Sequence, residues 1–330
     1  MAFRVSRKHT PATAIRRSVS EQLSKAIKLA EDPQIAPELR IHAVRRRCKK
    51  IRSLIRLVRP ALDDDYSVNE TVRDAARSLS GFRDAHTMIA AWDWLARQPI
   101  PETTAADSEG IRASLLKLAR SPTDPANAPL GEATIALARF AQTLHGLAPT
   151  IKTWKIDGTG FSPLARGLRE TYLRGRRALE KAIVEGTTEQ WHEVRKWVKY
   201  YSIQLRFLEP LCPRVLEAHR LFTEQLAEDL GWEHDLGVLD QHLASLGENS
   251  PQTLGESALK LLPQYRGTIS TERHKLRSSA ATCARFLFSE NPRALTRRTE
   301  HYWKHWLATP PTKGSSTKES KQKKSSGGEL

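Results

Sequence analysis

The sequence predicts an all-α protein built as two pseudo-symmetric helical bundles of about four helices each around a basic groove or pore. Three observations lead there. Apolar residues recur at helical spacing over most of the chain, with no convincing alternating strand between them. Stretches such as EDPQIAPE, KIDGTGFSP and SENPRA supply the Pro, Gly, Asp and Ser that stop or start helices. A segment of the first half then recurs 150 residues later, His42 aligning with His192.

In chain order, the periodicity predicts helices over 14–31, 38–59, 67–98, 110–120 and 131–147 in the first half. In the second half it predicts 163–185, 188–209, 213–247, 254–289 and 292–307. The Gly-rich stretch near 157–163 reads as the hinge between halves of about 1–155 and 160–307, together one domain over 1–307. Residues 308–330, rich in Ser, Lys and Gly and nearly devoid of apolar side chains, read as a disordered basic tail, because they bury too little to offset ordering entropy.

Lysine and arginine number 53 against 37 acids, a formal charge of +16, which points to a polyanionic partner. No apolar run reaches the eighteen residues of a membrane span, and the first twenty residues carry no apolar secretory core. An intracellular, cytoplasmic protein without membrane insertion is expected. Cys48, Cys212 and Cys283 stand apart, without the spacing of a zinc site or disulfide framework.

The repeat concentrates the charge. HAVRRRCKKIRSLIR, from His42, recurs as HEVRKWVKYYSIQLR, from His192, with His, Val, Arg and Lys at equal offsets. GFRDAHTMI at 81–89 resembles GWEHDLGVL at 231–239, which sets Asp84 beside Asp235 with a one-residue slip. At 100° per residue, His42, Arg45, Lys49, Arg52 and Arg56 share one face and Val44, Cys48, Ile51, Leu54, Ile55 and Val58 the other. His192, Arg195, Lys199 and Arg206 repeat the pattern, with Ser202 interrupting the stripe. A solvated face explains one such stripe, but solubility does not require the same residues at the same offsets twice.

These residues resemble the CHAD family, the conserved histidine α-helical domain. The likeness rests on the two His-x-x-Arg-x-x-x-Lys helices, on GLRETYLRGRRALEKA (167–182), on EDLGWEHDLGVLDQHL (228–243) and on ARFLFSENPRALTRRTEHYW (284–303), spanning roughly residues 10–307. The resemblance implies two helical bundles whose basic residues bind inorganic polyphosphate, and an association with polyphosphate granules. It marks His42, Arg45, Lys49 and Arg52 in the first copy, and His192, Arg195, Lys196 and Lys199 in the second, as phosphate contacts. Arg56 and Arg206 rest on the repeat, while Arg83 and Arg176 extend the basic surface. Where the family commonly carries Arg-Tyr in its second helix, this chain has Ser202 and Ile203, which weakens the expected grip of that half.

The chemistry suits a flexible anion. Arginine presents a planar fork to phosphate oxygens and lysine a mobile point charge, so a mixed stripe holds a phosphate chain without fixing one register. His42 and His192 read as groups that charge when phosphate arrives, or alternatively as neutral hydrogen-bonding core residues. Asp84 and Asp235 read either as partners orienting those cations or as helix caps and ordinary ion pairs. No zincin, phosphate-loop or nucleophile-elbow pattern occurs, so the expectation is a binding module with no enzymatic activity, no cofactor and no metal. Expected partners are inorganic polyphosphate, other polyanions and proteins of polyphosphate metabolism. The rival classes are a nucleic-acid-binding helical protein using the same basic surface and an adaptor for acidic protein surfaces.

Overall fold

The computed structural model describes residues 3–63, 67–100, 104–119, 130–249 and 256–309. The expected disordered tail lies outside the described residues from 310 onward. Among the described residues the regular structure is helical: α1 (Pro11–Glu31), α2 (Pro37–Val58), α3 (Ser67–Arg77), α4 (Gly81–Leu95), α5 (Ala105–Ala119) and α6 (Leu130–Thr153) precede the connecting segment. After it come α7 (Ser162–Glu185), α8 (Thr188–Leu208), α9 (Pro213–Asn249), α10 (Glu256–Leu287) and α11 (Pro292–Ala308).

The helix ends follow local chemistry. The Thr10 hydroxyl accepts the Thr13 backbone N–H at the start of α1, and Thr187 does the same for Gln190 at α8. Asn291 accepts from both Arg293 and Ala294 at α11. Gly186 closes α7 at φ +67°, a left-handed conformation that costs a side-chain-bearing residue more.

Element order repeats with the 150-residue offset. α1 corresponds to α7 and α2 to α8, and the short 3₁₀ turns that end the paired helices, Arg59–Ala61 and Glu209–Leu211, match residue for residue in position. α9 alone occupies the place of α3 and α4. The span expected as one helix over 67–98 is divided at Ser78–Ser80, where Ser78 N–H bonds Asp74 O and Ser80 N–H bonds Arg77 O. The division is bridged from α2: Arg45 Nη1 donates to Ser80 Oγ at 2.7 Å and to Ala76 O at 2.6 Å, giving that carbonyl a partner in place of the Ser80 N–H, which bonds Arg77 O instead.

The hydrophobic clusters do not divide where the sequence halves do. The larger one joins Ile15, Val44, Ile51 and Leu54 to Leu164, Tyr172, Val198, Phe207 and Trp303. The second packs Trp92, Leu95 and Leu115 of α4 and α5 against Leu239, Leu243 and Tyr265 of α9 and α10. Each cluster therefore draws on both halves. Trp92 meets the Tyr265 ring at a 4.8 Å centroid separation, and Ser108 Oγ lies 2.7 Å from Tyr265 Oη.

The connecting segment is tied down as well. Asp63 N–H bonds Lys155 O, Asp157 N–H bonds Ala61 O, and Leu62 and Ile156 form an isolated antiparallel bridge, so the stretch near 157–163 starts from a pinned anchor beside the first 3₁₀ turn. α2 and α7 meet without side-chain spacers: a Cβ on Gly167 would lie 2.0 Å from Leu57 O. A buried polar seam accompanies this approach, with Ser53 Oγ donating to Tyr200 O and Gln204 Nε2 donating to Ser53 O and Thr171 Oγ1. Those bonds fix the relative register of α2, α7 and α8, the helices that carry the site.

Candidate functional site: a basic cavity between the two repeat helices

Core packing leaves the charged faces of α2 and α8 turned toward one cavity of about 640 Å³. From α2 come Arg45, Cys48, Lys49 and Arg52; from α8 come His192, Glu193, Arg195, Lys196, Lys199 and Tyr200. α3 adds Arg73 and Arg77, and α9 adds His234 and Asp235. Thr87 and Met88 of α4 complete the wall near Ser80.

Eight lysines and arginines line this space against two acids, Glu193 and Asp235. The imbalance is asymmetric. The charged residues that α2 and α3 contribute are all cations, whereas both acids and both histidines belong to the second copy. In the first copy the position equivalent to Glu193 is Ala43, and the side chain of Asp84, set beside Asp235 by the repeat, lies outside the described residues. Lys196 pairs with Glu193 within α8, and Arg73 pairs with Asp74 at 2.8 Å, so some of the cations carry local counter-charges.

The structure brings together seven of the residues expected from sequence: Arg45, Lys49, Arg52, His192, Arg195, Lys196 and Lys199. His42 sits exposed near the start of α2 and does not line the cavity. Arg56 is not among its lining residues; it donates to Asn69 Oδ1 at 2.7 Å and stacks on Tyr200 at 4.3 Å. Arg206 lies beyond it and pairs with Glu224 of α9 at 3.6 Å. Arg176 pairs with Glu180 on the surface of α7. The side chains of Arg83 and Asp84 lie outside the described residues, although their backbone belongs to α4.

Arg73, Arg77 and His234 were not expected. An amphipathic reading of α3 contains the signal for the first two, because Val68 and Val72 are buried and the arginines follow at i and i+4 on another face. His234 carries no such signal. It reaches the site because α9 runs alongside α8, which places the two imidazole rings 4.9 Å apart.

Burial, and then the neighbouring Arg195, holds His192 below the ordinary histidine pKa of 6.5. Burial pushes the Cys48 thiol up to about 12 although Arg52 and Arg45 oppose it. Cys48 is therefore a protonated, apolar floor at neutral pH and supplies no thiolate. His301 and His305 face each other on α11, and among the described residues no group of three or more His, Cys, Asp or Glu is arranged to hold a metal.

The tryptophans chiefly serve packing: Trp92, Trp191 and Trp303 are buried in the clusters. Trp197 is buried too, with Arg56, Arg174 and Lys196 over its ring. Such cation–π contacts position long side chains along α8 while leaving their charges at the surface.

A family model for the CHAD domain matches residues 17–244. Among solved structures, the chain resembles the crystal structure of the CHAD domain from the plant Ricinus communis, with a TM-score of 0.54 and 19% identity over 85% of this chain and 91% of that one. That similarity concerns the fold. No curated protein sequence matches the chain. The family match covers both stripe-bearing helices, α2 and α8, and well over half of the sequence: the chain belongs to the CHAD-domain family.

Proposed function

We propose that the protein binds inorganic polyphosphate in the cavity between α2 and α8, as a non-covalent module that recruits itself, or what is attached to it, to polyphosphate granules. The observation that carries this reading is the convergence of the duplicated Arg-x-x-x-Lys pairs, Arg45 with Lys49 and Arg195 with Lys199, on one space with eight cations and two acids. An empty cavity of this composition is electrostatically unfavourable, and a polyanion relieves the repulsion.

Shape favours polyphosphate over nucleic acid. A cavity of about 640 Å³ admits a bare phosphate chain in single file, whereas a duplex places its phosphates on the outside of a cylinder too wide to enter. Calorimetric titration at about 0.15 M salt tests this, with long-chain polyphosphate and duplex DNA compared at equal phosphate concentration. Polyphosphate should bind tighter, with a log–log salt slope on the order of −6 for eight neutralised sites. Equal or tighter binding of DNA would sink the proposal.

Proton linkage gives a second expectation. His192 faces Arg195, Lys196 and Glu193 of its own helix, and His234 and Glu233 of α9. In the empty site its pKa is depressed, so it is mostly neutral at pH 7. An entering polyanion favours the imidazolium, so binding takes up a proton and affinity rises as pH falls from 7 through 6.5 and below. One linked proton gives at most about tenfold per pH unit. His192→Gln should flatten the dependence; an unchanged pH profile would remove His192 from the binding equilibrium.

A further inference from the structure

Arg45 to Lys50 contains five cations in six positions, and only Arg45 and Lys49 enter the cavity. Arg46, Arg47 and Lys50 leave α2 on a side turned by roughly 130° from the cavity face. On that side Arg47 Nη1 donates to Gln22 Oε1 of α1 at 3.0 Å. Lys50 is half-buried beneath the Phe3 ring, its Nζ 5.2 Å from the centroid. Burial, followed by the charges of Arg47, Arg206, Arg46 and Lys25, lowers the Lys50 pKa to about 8. Cations from three helices are thus crowded around one ammonium group.

Lys25 also belongs to a second feature, an open groove of about 670 Å³ along α1. Arg16, Arg17, Lys28 and Lys152 line it with the hydroxyls of Thr13, Ser20 and Ser24, and Glu21 is the one acid among the described lining residues. None of these residues touches the central cavity. Through Lys25 the groove continues into the Lys50 cluster, giving a basic track from α6 across α1 and α2 to Arg206 on α8.

We propose that this outer track is a second binding site for a phosphate polyanion, separate from the cavity. Arg16 and Arg17 near one end of the groove and Lys25 and Lys28 near the other give a phosphate chain two cationic grips, with Glu21, paired with Lys25 at 2.6 Å, between them, and the hydroxyls donate to phosphate oxygens as the flanking cations hold it. The like-charge crowding at Lys50 is relieved by the same anion. Two sites on different sides of α2 let a long chain be gripped twice by one molecule, or by two molecules at once, which is how a binding module condenses its ligand into a dense phase. The identity of the ligand rests on the polyphosphate reading of the cavity; the existence of the site rests on the outer residues.

Inorganic tripolyphosphate is the probe, being too short to reach from one site to the other. Equilibrium titration of the full chain should resolve two classes of site. The variant Arg17→Gln, Lys28→Gln, Arg46→Gln, Lys152→Gln alters exposed residues and should keep the cavity class while losing at least about tenfold at the other. A cavity variant, Arg45→Ala, Lys49→Ala, Arg195→Ala, Lys199→Ala, should do the reverse. An outer variant whose isotherm superimposes on the wild type overturns the second site while leaving the cavity reading intact. A cavity variant that binds like the wild type, with loss only in the outer variant, overturns the cavity reading and supports the track. Loss in the outer variant of binding to anionic phospholipid vesicles, without loss of tripolyphosphate, would assign the track to a membrane surface and overturn the proposal.

Discussion

Replacing Arg45, Lys49, Arg195 and Lys199 together by alanine should weaken long-chain polyphosphate binding by about a thousandfold, at roughly 1 kcal/mol for each charge-assisted contact. The salt slope should become shallower by about 3. The four residues lie on two helices and face one cavity, so their loss removes cations from both walls. Arg45 has a second task, since it bonds Ala76 O and Ser80 Oγ where α3 gives way to α4. The pair Lys49→Ala, Lys199→Ala leaves those bonds in place and should still lose about thirtyfold. Affinity within threefold of the wild type in the quadruple variant, with an unchanged helical circular dichroism spectrum, would show that the cavity does not hold the chain.

Glu233→Ala should cost about 3–5 kcal/mol of folding stability, read from urea denaturation. Glu233 is 1% exposed, and its Oε1 accepts from Arg273 at 2.8 Å and Arg277 at 2.7 Å. Both guanidinium groups also donate to Thr188 Oγ1, at 2.8 and 3.3 Å. The cluster joins α9 and α10 to the start of α8 next to the site. Removing the carboxylate leaves two partly buried cations facing each other, which costs more than the original pair contributed. Gly237 shows how closely Arg273 packs, because a Cβ there would come within 2.8 Å of its Nη2. Glu233→Gln retains the shape and two acceptor lone pairs and should lose less than the alanine variant. A loss below 1 kcal/mol in Glu233→Ala would mean that the arginines re-pair with other acids.

Much of this architecture is legible in the sequence, for identifiable reasons. Helix boundaries follow from periodicity and from Thr10, Thr187, Gly186 and Asn291, whose effects are local. The pairing of α2 with α8 follows from duplicated offsets, which survive because each helix places the same side chains on one face. What escaped the sequence depends on contacts distant along the chain. The break between α3 and α4 is bridged by Arg45, 31 residues before Ala76, and a helical pattern read over 67–98 contains no trace of that bond. Arg56 lies on the same wheel face as Arg52 and shares its partners Asn69 and Tyr200, but it stands one turn further along α2, where the cavity has ended. Arg206 continues the second stripe in register, but the cavity ends before it and Glu224 meets it there. A helical wheel gives direction around an axis; it does not give where along the axis a neighbour stops.

The shared hydrophobic clusters carry a consequence for how the chain acquires its structure. Tyr265 meets Ser108 across 157 residues, and the larger cluster is completed only by Leu295 and Trp303 of the last helix. Loops of that length close slowly, and contacts of high sequence separation delay the rate-limiting step. At about 5–20 residues per second of synthesis, α4 and α5 emerge many seconds before the α9 and α10 segments that cover them. During that interval Trp92 and Leu95 have only Ile111 and Leu115 of α5 as cluster partners, and the cationic run on α2 is already outside the ribosome. Neither hydrophobic cluster is therefore complete before the second half has emerged.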